Sequence, residues 1–151
     1  MATKTTSSGK LFARHLPTVA RTILGLIFFV FGLNGFLHFI PQPKMPEGPA
    51  AFFGALLKTH YMLPLLFGTQ TLVGALLLVN RFVPLALALI APVVVNIVAF
   101  HAFVAPSGLA MAIVVLVIEL FLAWSYRGVY LPMLAPRAKP GVPADSRTPA
   151  S

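Results

Sequence analysis

Six polar side chains set in otherwise apolar stretches are the residues of this chain that could do chemistry: Asn34, His38, Gln70, Asn96, His101 and Glu119. Amides and imidazoles can hydrogen-bond the polar head of a ligand, and a carboxyl group can exchange a proton. At membrane depth such groups are costly, so they normally face a bundle interior, and ionisable ones point to function. Glu119 stands apart from the other five. No Lys or Arg shares its depth, so it is expected to be protonated or bonded to Gln70, Asn96 or a ligand.

Each of these residues also has a purely structural reading. Asn34, Gln70 and Asn96 can serve as interhelical hydrogen bonds, each worth about 0.6 kcal/mol in measured cases. His38 and His101 fall near headgroup depth, where an amphipathic ring is comfortable. His15 and His60 read as loop residues.

The elements that must position them are apolar spans. The chain has 151 residues, 58% hydrophobic and only 9% charged, with a mean hydropathy of +0.91. Soluble domains are about 25% charged, so an integral membrane protein is expected, in contact with the lipid bilayer. The spacing predicts four spans, at about 19–40, 62–79, 83–104 and 109–126, each near the ~20 residues that cross a hydrocarbon core. The fold class expected is all-α: an integral membrane four-helix bundle over 19–131, flanked by a basic tail (1–18) and a disordered Pro-rich tail (132–151). The first run is too long for a signal-peptide core of ~7–15 residues and reads as a retained span. With no cysteine, disulfides and thiolate sites are excluded.

Connections and charge set the expected topology. Asn80-Arg81, followed by Pro84, makes a tight turn between spans two and three. Ala105-Pro106-Ser107-Gly108 makes another between spans three and four. The net charge is +8, with basic residues gathered before the first span and after the last, so both termini are expected in the cytoplasm. No basic patch with interleaved aromatics appears, which argues against nucleic acid. In the first loop, outside by this reading, Ala50–His60 is expected to form a short extra helix. Its Phe52, Phe53, Leu56 and Leu57 would share a face, either as a lid over the bundle or as a connector on lipid.

At about 1.5 Å per residue, the polar groups step inward from the outer face. His38 and His101 lie roughly 3–5 Å in, Asn34 roughly 9 Å, Asn96 and Gln70 roughly 12 Å, and Glu119 roughly 15–17 Å. Asn34 and His38 share a helix face, whereas Asn96 and His101, five apart, do not. Glu119 lies more than about 10 Å below the histidines, too far to join them on one metal ion. No metal site is expected, and haem ligation by His38 and His101 has no supporting motif.

The run Arg21-Thr-Ile-Leu-Gly-Leu-Ile-Phe-Phe-Val-Phe-Gly-Leu-Asn-Gly-Phe-Leu-His-Phe resembles the first helix of DoxX-family membrane proteins. Phe82-Val-Pro-Leu-Ala, Pro92-Val-Val-Val-Asn-Ile and Phe100-His101 are similar to later parts of that family, so the likeness covers Arg21 to about Leu134. It implies a small four-helix protein of the bacterial inner membrane. Some such proteins are subunits of quinone-linked sulfur oxidation systems, others are linked to oxidative-stress or quinone-resistance functions, and many have no assigned activity. Relatives often carry glutamate in helix two, where this chain has Gln70 in Gly68-Thr-Gln-Thr-Leu.

Two functional readings follow. In the first, the chain is a membrane subunit of a redox or stress-response system that binds a hydrophobic small molecule such as a quinone. Asn34, His38 and Asn96 would hold the carbonyl head, with Gln70 and His101 in the same polar column and Glu119 as the proton-exchanging group. Whether it catalyses a reaction is left open. In the second, it is a non-catalytic scaffold or assembly partner whose polar residues are interhelical glue. A small transporter is a weaker third reading, since no inverted repeat is visible.

Overall fold

The computed structural model describes residues 6–41 and 44–134, with side chains from His15 on. The described residues are all-α. In chain order the elements are α1 (Thr6–Leu37), α2 (Glu47–Lys58), α3 (Met62–Leu78), α4 (Val83–Phe103), α5 (Leu109–Ser125) and the single turn α6 (Arg127–Tyr130). Short 3-10 turns cover Pro106–Gly108 and Leu131–Leu134.

Three stretches are long and apolar enough to cross a membrane: His15–Leu37, Val83–Phe103 and Pro106–Ser125. The fourth long helix, α3, follows α2 across a 96° bend. Its 17 residues reach roughly 26 Å, a little short of a ~30 Å hydrocarbon core.

α1 begins well before the span expected from residue 19 and runs through Pro17. Lys10 to Arg14 contains neither Gly nor Pro and is rich in good helix formers. The expected basic tail is therefore helical from Thr6, while residues 1–5 lie outside the described residues. The same holds for the Pro-rich tail beyond Leu134.

α1, α3, α4 and α5 pack in a ring, each against the next and α5 back against α1. Leu24 and Phe28 of α1, Val73 and Leu77 of α3, Leu87, Ile90 and Val94 of α4, and Val115 and Leu122 of α5 fill the centre. The α1–α3 contact is the most extensive, and glycine is the reason. A Cβ on Gly32 would lie 2.5 Å from the Thr71 backbone nitrogen, and one on Gly74 would overlap the Phe29 backbone. Close backbone approach of this kind is how helices associate where lipid is as apolar as the core.

The termini are closed locally. α3 ends in a Schellman pattern: Asn80 takes the left-handed conformation (φ 56°), with Asn80 N donating to Leu77 O and Arg81 N to Leu76 O. Hydroxyls inside apolar helices bond back one turn, as Thr71 does to Phe67 O at 2.8 Å.

The expected loop helix is α2. Phe52 and Phe53 pack on Phe100 of α4, with ring centroids 5.0 and 5.5 Å away. Leu57, by contrast, is exposed, so the four apolar side chains of that helix do not act as one face.

Candidate functional site

Glu119 projects from α5 and is only 5% exposed. It lines a groove of about 280 Å³ between α4 and α5, walled by Leu87, Ala88, Ala91, Val95, Leu116, Leu120 and Ala123 and closed at one end by Tyr130. The alanines make the groove, because side chains that end at Cβ leave space beside the helix axes. Several wall residues, including Val95 and Leu120, lie on the outer surface of the ring. The groove therefore opens sideways and not along the bundle axis. Among the described residues no side chain donates a hydrogen bond to Glu119.

Tyr130 is placed by the turn after α5. Tyr126 caps that helix, with its N–H donating to Leu122 O, and α6 then swings back toward the start of α4. There the Tyr130 hydroxyl donates to the Pro84 carbonyl at 2.6 Å. Burial, then the Glu119 carboxylate and Tyr126, raise the Tyr130 phenol above its ordinary range. It stays protonated near neutral pH and keeps its bond to Pro84.

The other five residues do not join this site. Asn34 is buried on α1, and its Oδ1 accepts from Ile40 N at 2.7 Å. It stabilises the end of its own helix, where His38 takes a left-handed φ of 51° and points to the exterior. Gln70 is buried on α3, beside Gly32 of α1. Among the described residues no hydrogen bond joins it to Glu119. Asn96 is exposed on the outer face of α4.

His101 locks the turn after α4. Its Nδ1 lies 2.9 Å from Ala105 O, and its ring occupies the space that a Cβ on Gly108 would need. Asn34 and His101 thus serve the backbone of their own helix ends, and of the six only Glu119 lines the groove between α4 and α5. A second cleft of about 370 Å³ lies at the far end between Lys44, Pro46, Phe53, Phe100 and Pro106, and contains none of the six.

Two functional side chains were not singled out from sequence. Tyr130 lies beyond the last span, and only folding brings it to the Glu119 groove. Arg21 stands just inside the first expected span. It is 8% exposed, and its guanidinium donates to the carbonyls of Leu77 and Leu78 at the end of α3. An arginine supplied by a neighbouring helix thus satisfies the orphan acceptors and suits the negative end of the helix dipole. Its position inside the apolar run, and not before it, was the available signal.

Comparison with known proteins adds no relative: no family model, no curated protein and no solved structure matches this chain.

Proposed function

We propose that this chain is a DoxX-like integral membrane four-helix bundle of a bacterial inner membrane, with both termini cytoplasmic. In that setting it binds a quinone-like hydrophobic small molecule as a membrane subunit of a redox or oxidative-stress system. The observation that carries this reading is Glu119. It is a carboxyl group inside an apolar helix, without a protein partner among the described residues, lining a groove that opens toward the lipid side. Apolar walls with few polar groups suit such a ligand, and a ligand dissolved in the bilayer reaches this groove without crossing water.

The head of the ligand sits between Glu119 and Tyr130, not among Asn34, His38 and Asn96. Glu119 donates a hydrogen bond to a ligand carbonyl when protonated and takes up or releases the proton that accompanies a change of redox state. The basic end that carries Arg127, stacked 4.5 Å over Trp124, fits the cytoplasmic face, where Lys/Arg and interfacial aromatics concentrate.

Titration of the detergent-solubilised protein with a ubiquinone analogue, followed by Trp124 fluorescence, tests this. Trp124 neighbours the groove residue Ala123, so saturable quenching is expected in the wild type and roughly two- to tenfold weaker binding in Glu119→Leu, which removes the carboxyl donor and with it one neutral hydrogen bond of about 0.5–1.5 kcal/mol. No saturable response in the wild type, or equal affinity in the variant, would remove the reading.

A second reading has its own support. Asn96 presents an amide on the outer face of an apolar helix, where lipid cannot hydrogen-bond it. An assembly partner could, which favours a scaffold role. If so, Asn96→Leu loses a co-purifying subunit while ligand binding at Glu119 is unchanged.

A further inference from the structure

The polar atoms of the Glu119 groove are matched to one kind of ligand head. Its walls are apolar side chains of α4 and α5. Two of its lining residues carry polar side chains, Glu119 and Tyr130; the Glu119 carboxyl lies at the edge of an almost wholly apolar surface, and the Tyr130 hydroxyl is turned to Pro84 O, which holds its single proton. With Glu119 ionised, the groove is therefore an apolar space beside one buried negative charge and the Tyr130 side chain, with no donor. Such a lining is complementary to a positive charge that carries its own apolar shell, because carboxylates and aromatic faces both attract organic cations.

No basic side chain competes for that role. The α4 wall contributes Leu87, Ala88, Ala91 and Val95 and nothing titratable; after α5, Tyr130 lines the groove, Tyr126 lies beside Tyr130, and the Arg127 guanidinium is stacked over Trp124. From α1, which also packs on α5, the one charged side chain within residues 19–37 is Arg21, and it is held by the Leu77 and Leu78 carbonyls.

We propose that the groove between α4 and α5 is a binding site for hydrophobic organic cations, which enter from the lipid side and displace the proton of Glu119. The inference rests on the membrane placement and the groove of the preceding section, but it names a ligand of opposite electrostatic demand. A quinone carbonyl needs the protonated carboxyl as donor, so its binding weakens as pH rises. A cation needs the carboxylate, so its binding strengthens as pH rises, with release of one proton: Glu119–COOH plus cation gives the Glu119–COO⁻·cation pair plus H⁺.

Tetraphenylphosphonium is the probe, because its charge is permanent and any pH dependence belongs to the protein. Calorimetry in two buffers of different ionisation enthalpy reads affinity and proton release together. Saturable binding is expected, rising by up to about tenfold per pH unit where Glu119 is protonated in the free protein, with about one proton released per cation. Glu119→Gln should abolish it and Glu119→Asp retain it.

Ala91→Phe fills the groove from the α4 side, leaves Glu119 in the sequence and should also abolish binding, which keeps the test decisive if Glu119→Gln does not fold. Neutral triphenylphosphine oxide, similar in shape, should bind at least roughly tenfold more weakly at high pH. Equal binding of the neutral probe, binding without proton release, or binding that survives Ala91→Phe would overturn the proposal. If tetraphenylphosphonium fails while the ubiquinone analogue binds in a Glu119-dependent way, this inference falls and the quinone reading stands. If neither binds, both fall.

Discussion

At the residue scale, the polar side chains divide into those that finish a helix and one that faces a cavity. Asn34 belongs to the first kind: its Oδ1 replaces water for the Ile40 N–H just past the end of α1. Asn34→Leu is expected to lower stability by about 1–3 kcal/mol, the cost of leaving that donor without a partner, while ligand binding at the groove is unchanged. Thermal denaturation in detergent, beside the Trp124 titration, separates the two effects. Arg21 makes charge-assisted bonds to two carbonyls, so Arg21→Met should cost about 1.5–3 kcal/mol in the same assay.

These roles were only partly legible in the sequence. The residue types announced that each polar group needed a partner. The identity of the partner was not written in the spacing, because Ile40 N for Asn34 and Ala105 O for His101 are backbone groups set by how each chain end turns. Asn96 illustrates the limit most clearly. Its place along α4 follows from the sequence, but which face of α4 looks outward depends on packing against α3 and α5, and the apolar residues surround that helix too evenly to show it.

At the scale of elements, the helices α3, α4 and α5 end within a residue of the expected spans, since Asn80-Arg81 and the Pro106 turn are strong local stops. The pairing of α1 with α3 is not legible in the spacing. It depends on glycines that matter only when two helices are brought face to face: Gly32 against Thr71 and Gly74 against Phe29. Gly74→Ala is expected to force the two backbones apart and to cost about 1–3 kcal/mol, as overpacking does elsewhere. Gly68, with open space around the Cβ position, is the control: Gly68→Ala should be neutral or stabilising, because glycine in a helix interior costs roughly 0.5–1 kcal/mol relative to alanine. A denaturation series on the two variants checks both signs at once.

At the scale of the whole molecule, the ring of four helices presents apolar side chains outward as well as inward. Phe31, Val95, Val117 and Leu120 are all more than half exposed, which suits a protein solvated by lipid. The same surface is where the α4–α5 groove opens, so membrane placement and ligand access are one claim. The proposed orientation is testable because the chain has no cysteine of its own. A single cysteine at Ser107 should react with an impermeant maleimide on intact spheroplasts, and one at Arg81 only after permeabilisation. The reverse pattern would invert the topology.

The most direct measurement on the central claim is photoaffinity mapping of the groove. A ubiquinone analogue carrying a diazirine on its ring would be crosslinked to the protein in bilayer nanodiscs, and the adducts located by mass spectrometry. Labelling that concentrates on Ala88–Val95 and Leu116–Ala123, competes with unlabelled analogue and disappears in Ala91→Phe is the expected result. Adducts gathered instead around His38 and His101, or labelling that no excess of analogue can displace, would contradict a ligand site at Glu119.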